Sequence, residues 1–585
     1  MKFFNRPLIK LAVVLMVLIT VFLLTRAFSL GRFVAIDEVN WLQRSGTFYD
    51  AIVRNNWGDT YVNNSPGVIT TWVGALAFKI AAPDYRVTSD TMVTSYSAFE
   101  ARLSKVVNLK PIFIDIYILA IARAIMITLL ILVLLICFLY ARSIFGTIPS
   151  LLGFLMIALD PFFIALSRMN HLDAPQAVFM FLSILAFLKF LLRGNRWFDL
   201  VISGLAGGLA FLSKLPGVFI IPIIGLIALW DYLKNRAVNK LDSLVFADES
   251  SKKVIRSMLA WLLVFFLVYF AVWPSMWVHP VRTLVNVLDT SSQYASTIIG
   301  EGDLEQGDGI GSSSTGRSID YLRYPKSFLW RTTPVVLLGL LSLAIAYYLR
   351  KRNVVDESAI KSIQWLLIFV IVYTIGITLP TKSSEKYYAP AYLVLDLLAG
   401  LGWYYGILLL SKSLQVVHRK YVYLIIMSAV IAIQSIWVYQ SFPYYFTYYN
   451  PLLGGLRRAA QVKMIGVGEG LDLTGRYLMK NPQSSDLKVM SWYGIGPLSY
   501  FFDGYVDPLY MSNSAWTPEF IQRLRTMDYL VIYTNQKFRF QPPELFNILS
   551  NIKPDYTVTI NGAEYAWIYK ISDIPLTDNI TGHNQ

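Results

Sequence analysis

Adjacent carboxylates at Asp37 and Glu38 are the first residues in the chain that point to chemistry. They stand a few residues after a long apolar block, at a membrane boundary, where two acids are costly to desolvate. One of them could take a proton from an acceptor hydroxyl; the plain alternative is solvation of a helix end. A second group is Arg168, His171 and Asp173, within the run Ser167-Arg168-Met169-Asn170-His171-Leu172-Asp173. Asp173 suits the start of a helix, where its charge meets the positive end of the dipole. His171 alone does not make a metal site, and a structural histidine is the plainer reading. The third group is cationic. Lys214 stands between two short apolar stretches and needs an anion partner there. Lys382 and Lys386 share the loop 381–388 with Tyr387, and Arg331 comes just before a later apolar block. These four cations could cradle a phosphate, or they could anchor the bundle to anionic lipid headgroups.

Two weaker features complete the search. Gly466-Val467-Gly468-Glu469-Gly470 precedes a helical pattern, but no strand comes before it and Glu469 would repel an anion. A tight turn is the better reading. Asp303, Glu305 and Asp308 fit no calcium-loop spacing. The Gly- and Ser-rich stretch 300–317 around them reads as a mobile lid.

The elements that must hold these residues are membrane helices. Of 585 residues, 55% are hydrophobic, and they gather in nearly charge-free blocks of roughly 20 residues, the length that crosses a bilayer as helix. About eleven such segments are expected, near 8–30, 118–140, 147–166, 174–192, 198–212, 216–231, 257–274, 333–350, 362–380, 389–410 and 421–440. The block at 8–30 follows Lys2, Arg6 and Lys10 and is too long for a cleaved signal, so it reads as a retained anchor. Basic loops at Arg142, Arg193 with Arg196, 234–256, 350–352 and 412–420 place the N-terminus in the cytoplasm. The segments 31–117, 275–332, 381–388 and the tail from 441 then face outward. Within the first of these, Val68 to Ala82 is apolar but too short to span, and is expected to lie at the interface or on the bundle. The net charge of +14 follows from these loops, and no nucleic-acid recognition motif accompanies it. The single cysteine, Cys137, rules out an intramolecular disulfide.

The tail changes character. Strands are expected at Leu487 to Trp492, at Tyr529 to Thr534 and, as a hairpin about Asn561-Gly562, at Tyr556 to Tyr569. Helices are expected at Leu471 to Lys480 and Pro518 to Arg525. The fold class is thus mainly α: a polytopic bundle over 1–440 and a small extracytoplasmic α/β domain over 441–585.

In their order along the chain, these residues resemble the GT-C class of membrane glycosyltransferases. The closest likeness is to the protein O-mannosyltransferase and lipid A aminoarabinose transferase superfamily, glycosyltransferase family 39-like. Asp37-Glu38 follows the first helix as that class's acidic motif does, and Asn64-Ser65-Pro66-Gly67-Val68-Ile69 is similar to its proline-glycine turn. Ser167 to Asp173 with Ala174-Pro175 is similar to its arginine-to-aspartate signature, and Leu212-Ser213-Lys214 to its short-helix lysine. Tyr324-Pro325 with Arg331-Thr332-Thr333-Pro334, Tyr448 to Gly455, and Gly466 to Asp472 resemble later regions. The carbohydrate-binding domain that the mannosyltransferases often add is not evident.

The resemblance implies a sugar donor on a polyprenyl phosphate and an acceptor that is protein, lipid or glycan, with membrane lipid as the surrounding partner. It implies an inverting displacement. Asp37 would be the general base, with Glu38 and Asp173 completing the catalytic carboxylates by placing the acceptor or Lys214. Lys214, Arg331, Lys382 and Lys386 would bind the donor phosphate, and Arg168, His171 and Tyr387 would position substrate. No cofactor is certain and a divalent cation stays open. A lipid-linked sugar flippase, a non-catalytic scaffold and an oligosaccharide ligase remain as rival readings. A flippase should show internal repeats or midplane charges, and no convincing repeat is found. The lack of disulfides and of a signal peptide suits a prokaryotic cell membrane.

Overall fold

The computed structural model describes residues 7–63, 66–87, 116–194, 196–238, 249–296, 320–349, 357–380, 384–413, 419–509, 517–539 and 542–576. Lys382, Asn64, Ser65 and the expected lid at 300–317 lie outside the described residues.

All eleven apolar segments form helix. Eight helices among the described residues are long and apolar enough to cross a membrane, and two bent pairs bring the number to ten. The eleventh segment, Trp197–Ser213, is an apolar helix of 17 residues. The chain is a multi-pass membrane protein.

The two bends have local causes. Thr147–Ala158 and Pro161–Ser167 meet at 69°. Proline disfavours helical backbone in the residue before it, so Asp160 leaves the first helix and starts the second. The Asp160 carboxylate then accepts from the Phe162 and Phe163 amides at 2.7 and 3.2 Å, capping the new helix. Thr332-Thr333-Pro334 does the same between Arg323–Arg331 and Pro334–Tyr348, which meet at 117°. There the Thr333 hydroxyl accepts from the Val336 amide.

Helix packing relies on missing side chains. A Cβ at Gly400 would stand 2.2 Å from the Gly153 backbone nitrogen, so Ala389–Ser413 and Thr147–Ala158 touch backbone to backbone. Val68–Ala81 does not span. It buries Val68, Val73, Ala77 and Phe78 against the helix Ile36–Val53 and the long helix Ile116–Phe145. The expectation that it packs on the bundle is met.

The tail builds a five-stranded sheet: β1 Lys488–Trp492, β2 Tyr505–Leu509, β3 Tyr529–Tyr533, β4 Tyr556–Ile560 and β5 Ala563–Lys570. Their order is β2-β1-β3-β5-β4. β1 runs parallel to β2 and β3, whereas β5 runs antiparallel to β3 and β4. The β4–β5 turn has Asn561 at φ 49° and Gly562 at φ 80°, the two left-handed residues that a tight hairpin requires. Helices at Leu471–Leu478 and Pro518–Arg525 accompany the sheet as expected. Val489, Leu530, Val531, Ala566 and Ile568 are wholly buried and form its core.

The sheet is tied directly to the bundle. The Asn450 amide donates to the Trp330 carbonyl at 2.7 Å and its side-chain nitrogen donates to the Leu329 carbonyl at 2.8 Å. The glycine run before the sheet reaches further. The Val467 carbonyl accepts from the Ile36 amide at 3.0 Å. Gly468, at φ 126°, lies so close that a Cβ would stand 2.3 Å from the Val34 carbonyl oxygen. The run is thus a tight turn seated on the start of the helix that carries Asp37.

Candidate active site

Asp37 and Glu38 lie in the first turn of the helix Ile36–Val53 and have different surroundings. Glu38 reaches back to the helix start, accepting from the Ala35 amide at 3.0 Å as the acid of a capping box does. Its side chain is 0% exposed. Arg123 donates Nε to it at 2.8 Å and pairs with its other oxygen, and the Asn170 amide donates at 2.9 Å. Arg123 also holds the carbonyls of Leu30 and Phe33. Glu38 therefore joins the helix Ile36–Val53 to Ile116–Phe145 and to the 168–173 turn, with both oxygens engaged.

That anchoring fixes Asp37 beside a different set of groups. Lys386 Nζ lies 2.5 Å from Asp37 Oδ2, and His171 Nε2 lies 3.6 Å from the same oxygen. On its other side, His171 Nδ1 is 2.8 Å from Asp173 Oδ2. Asp173 Oδ1 is in turn 2.5 Å from Lys214 Nζ. The Lys214 ammonium stands over the Tyr387 ring, 3.8 Å from its centre. The result is a row of close charged and polar groups, Lys386–Asp37–His171–Asp173–Lys214, with an aromatic face at its end. Asp173 opens the helix Asp173–Leu192, Lys214 follows Trp197–Ser213, and Lys386 sits in the tight turn Glu385–Tyr388, whose start is capped by Ser384. Four separate stretches of sequence meet here.

Electrostatics follow from the pairing. Burial works to raise the Asp37 carboxyl, but the Lys386 ammonium and then His171 outweigh it and hold its pKa at about 2. Asp37 is thus an anion at every ordinary pH. It keeps 16% of its side-chain surface, and Lys386 keeps 10%.

Two further expected residues stand beside this chain. Arg168 donates Nη2 to the Phe28 carbonyl at 2.5 Å and lies over the Tyr445 ring at 5.1 Å. It ties down the chain after the first helix. Arg331 gives Nε to Glu385 at 2.7 Å and Nη1 to the carbonyls of Phe446 and Tyr448 at 2.6 and 3.2 Å. It also covers the Tyr449 ring at 3.8 Å. Arg331 and Lys463 clamp Glu385, and so fix the turn that presents Lys386.

Three residues important to this arrangement were not singled out from sequence: Arg123, Glu385 and Lys463. Arg123 carried a usable signal, because a lone arginine inside an apolar segment demands a partner. Glu385 and Lys463 carried none, as their pairing spans 78 residues. Among the described residues, no group of three or more His, Cys, Asp or Glu side chains could hold a metal ion.

Residues 117–277 match the dolichyl-phosphate-mannose-protein mannosyltransferase family. No curated protein sequence matches the chain. Among solved structures, it is similar to ArnT from Cupriavidus metallidurans bound to undecaprenyl phosphate, at 12% identity over 95% of this chain and 97% of that one, TM-score 0.44. It is similar to the oligosaccharyltransferase AglB from Archaeoglobus fulgidus, at 13% identity over 90% of this chain and 70% of that one, TM-score 0.46. It is also similar to the S. cerevisiae protein O-mannosyltransferase complex bound to its sugar donor, at 20% identity over 47% and 34%, TM-score 0.34. The family match covers the stretch that supplies Arg123, Arg168, His171, Asp173 and Lys214 to the site.

Proposed function

We propose that the protein transfers a sugar from a polyprenyl-phosphate carrier to a hydroxyl or amine of an acceptor, with inversion, at the sheet-bearing end of the bundle. That end faces away from the cytoplasm, where the N-terminus lies. The observation that carries this reading is the chain Lys386–Asp37–His171–Asp173–Lys214. It sets a carboxylate and two ammonium groups together in one site. Displacement at the anomeric carbon needs these groups: a base for the acceptor proton and cations for the charge that grows on the leaving phosphate. The family match supports a lipid-phosphate donor.

In this scheme Asp37 takes the acceptor proton. The acceptor oxygen or nitrogen forms the new bond to the anomeric carbon as the bond to the phosphate oxygen breaks. The polyprenyl phosphate leaves against Lys386 and Lys214. Asp173 holds Lys214 in place, His171 separates the two carboxylates, and Tyr387 backs the lysine. The acceptor is a protein, lipid or glycan.

Purified protein in lipid, given a panel of radiolabelled polyprenyl-phosphate sugars and membrane extract as acceptor, tests this. Wild type should release free polyprenyl phosphate and Asp37→Asn should not. Equal turnover by the variant removes Asp37 as base. Silence from the wild type across the panel overturns the donor reading and favours transport or scaffolding.

A further inference from the structure

The short helix that ends at Arg331 has two faces. Asp320 opens it, its carboxylate accepting from the Leu322 amide at 3.0 Å, and Pro325 falls in the first turn, where its missing N–H breaks no helical bond. Tyr324, Phe328 and Arg331 recur at helical spacing and are buried. Leu322 and Leu329, two turns apart, face the other way. They are 59% and 44% exposed, and Tyr321 before them is 68% exposed. Between them Lys326 holds Asp320 at 3.1 Å, so its apolar stem runs along this face. Large apolar side chains aligned and exposed on one side of a helix mark a contact surface.

The next segment says what meets that surface. The chain turns by 117° into the apolar helix Pro334–Tyr348. Membrane spans stand close to the bilayer normal, so a turn of this size lays Arg323–Arg331 nearer to the bilayer plane than to its normal. Pro334–Tyr348 exposes Leu338, Leu341 and Ile345, a stripe for acyl chains. Only Thr332 and Thr333, both buried, separate it from the short helix. The exposed face of Arg323–Arg331 therefore adjoins a surface that already meets lipid.

We propose that Arg323–Arg331 is an interfacial helix, with Tyr321, Leu322 and Leu329 seated among the upper acyl chains of the leaflet at the sheet-bearing end. The contact is with bulk lipid and stands whether or not the sugar donor is lipid-linked. The buried face carries Arg331, which holds Glu385 and so the turn of Lys386. The Leu329 and Trp330 carbonyls accept from Asn450, at the root of the sheet. The membrane surface thereby sets the height of both Lys386 and the sheet against the headgroup layer.

The test uses the full chain in phosphatidylcholine vesicles, with an environment-sensitive fluorophore on Leu322→Cys or Leu329→Cys. Cys137 is buried, so wild type supplies the blank. Both probes should show the blue-shifted emission of an apolar medium. They should lose more of it in lipid brominated about 5–10 Å below the headgroups than in lipid brominated at the chain ends. A probe on Lys480→Cys, exposed on the tail, should ignore brominated lipid and be quenched by aqueous iodide. Iodide quenching at Leu322→Cys and Leu329→Cys, without any effect of brominated lipid, overturns the proposal. Strongest quenching from the chain ends also overturns it, because the segment then dips into the bilayer core. Blue-shifted emission that ignores bromine and is lost on diluting the protein in lipid puts a second copy of the chain on this face, and overturns it as well.

Discussion

Replacing Asp37 with asparagine should cut transfer sharply yet tighten the grip on the lipid phosphate. Asp37 Oδ2 is 2.5 Å from Lys386 Nζ. A phosphate oxygen bonded to the same ammonium at about 2.8 Å brings two anions within about 5 Å. At an effective dielectric of about 20 their repulsion is about 3 kcal/mol. The pair is partly open to solvent, so about half of that is a fair expectation, which is about tenfold in affinity. Turnover should fall by about a hundredfold to ten-thousandfold, the range that a lost general base costs. The variant also leaves a mostly buried ammonium without its carboxylate, so the ligand-free protein should melt earlier. Undecaprenyl phosphate should then close part of that gap, because it binds only the folded state. Titration of wild type and variant with undecaprenyl phosphate, beside the radiolabel assay, reads all three effects. Retained turnover refutes the base assignment. Affinity that falls together with turnover refutes the competition between Asp37 and phosphate for Lys386.

Other consequences follow from the same contacts. Glu38→Gln should destabilise by about 3–5 kcal/mol, because it leaves buried Arg123 without a counter-charge; a thermal unfolding midpoint equal to that of wild type would refute the anchoring role. Arg331→Lys should lower stability by about 2 kcal/mol through loss of its forked contacts while leaving undecaprenyl-phosphate affinity unchanged. The opposite pattern, weaker binding at normal stability, would return Arg331 to direct phosphate contact. The Asp37 carboxyl is held down at about 2, so its contribution is complete above its ordinary range and is lost as pH falls through about 2. It amounts to about 2 kcal/mol. The stability gap between wild type and Asp37→Asn, followed by thermal unfolding in detergent, should therefore narrow between about pH 4 and pH 2; a gap indifferent to pH contradicts the pairing.

The helices were legible because crossing a bilayer imposes a length and a composition on each segment separately. The hairpin at Asn561-Gly562 was legible for a similar reason, since a two-residue turn limits which residues can form it. β2 was not. It contains Pro508, which argues against a strand, and it is tolerated because β2 is the edge of the sheet, with β1 on one side only. The helix Ile36–Val53 was missed although Val39, Leu42, Ser45 and Tyr49 recur at helical spacing and are all buried. At the site, residue types pointed to the right neighbourhood, but they could not say which cation faced which acid. Asp37 meets Lys386 across 349 residues of chain. Asp37 and Glu38 are adjacent in sequence, yet the first turn of a helix points them about 100° apart. One is buried against Arg123 and the other faces Lys386 and His171.

Under the proposed scheme, the charge balance of the site accounts for a base and phosphate-binding cations lying in one connected group. The ammonium groups of Lys386 and Lys214 balance the carboxylates of Asp37 and Asp173 in charge. A donor phosphodiester adds one negative charge, and its pull on Lys386 loosens the contact that keeps Asp37 a weak base. Donor binding would therefore precede and prime proton removal. Transfer then turns the phosphodiester into a monoester with one further negative charge, while Asp37 gains the acceptor's proton. The two changes cancel, so the buried site carries the same net charge before and after the bond is made. In a low-dielectric rim such constancy matters, because an uncompensated charge is costly to bury there. A base placed elsewhere, remote from the lysines, would leave one charge of each sign stranded at the moment of transfer.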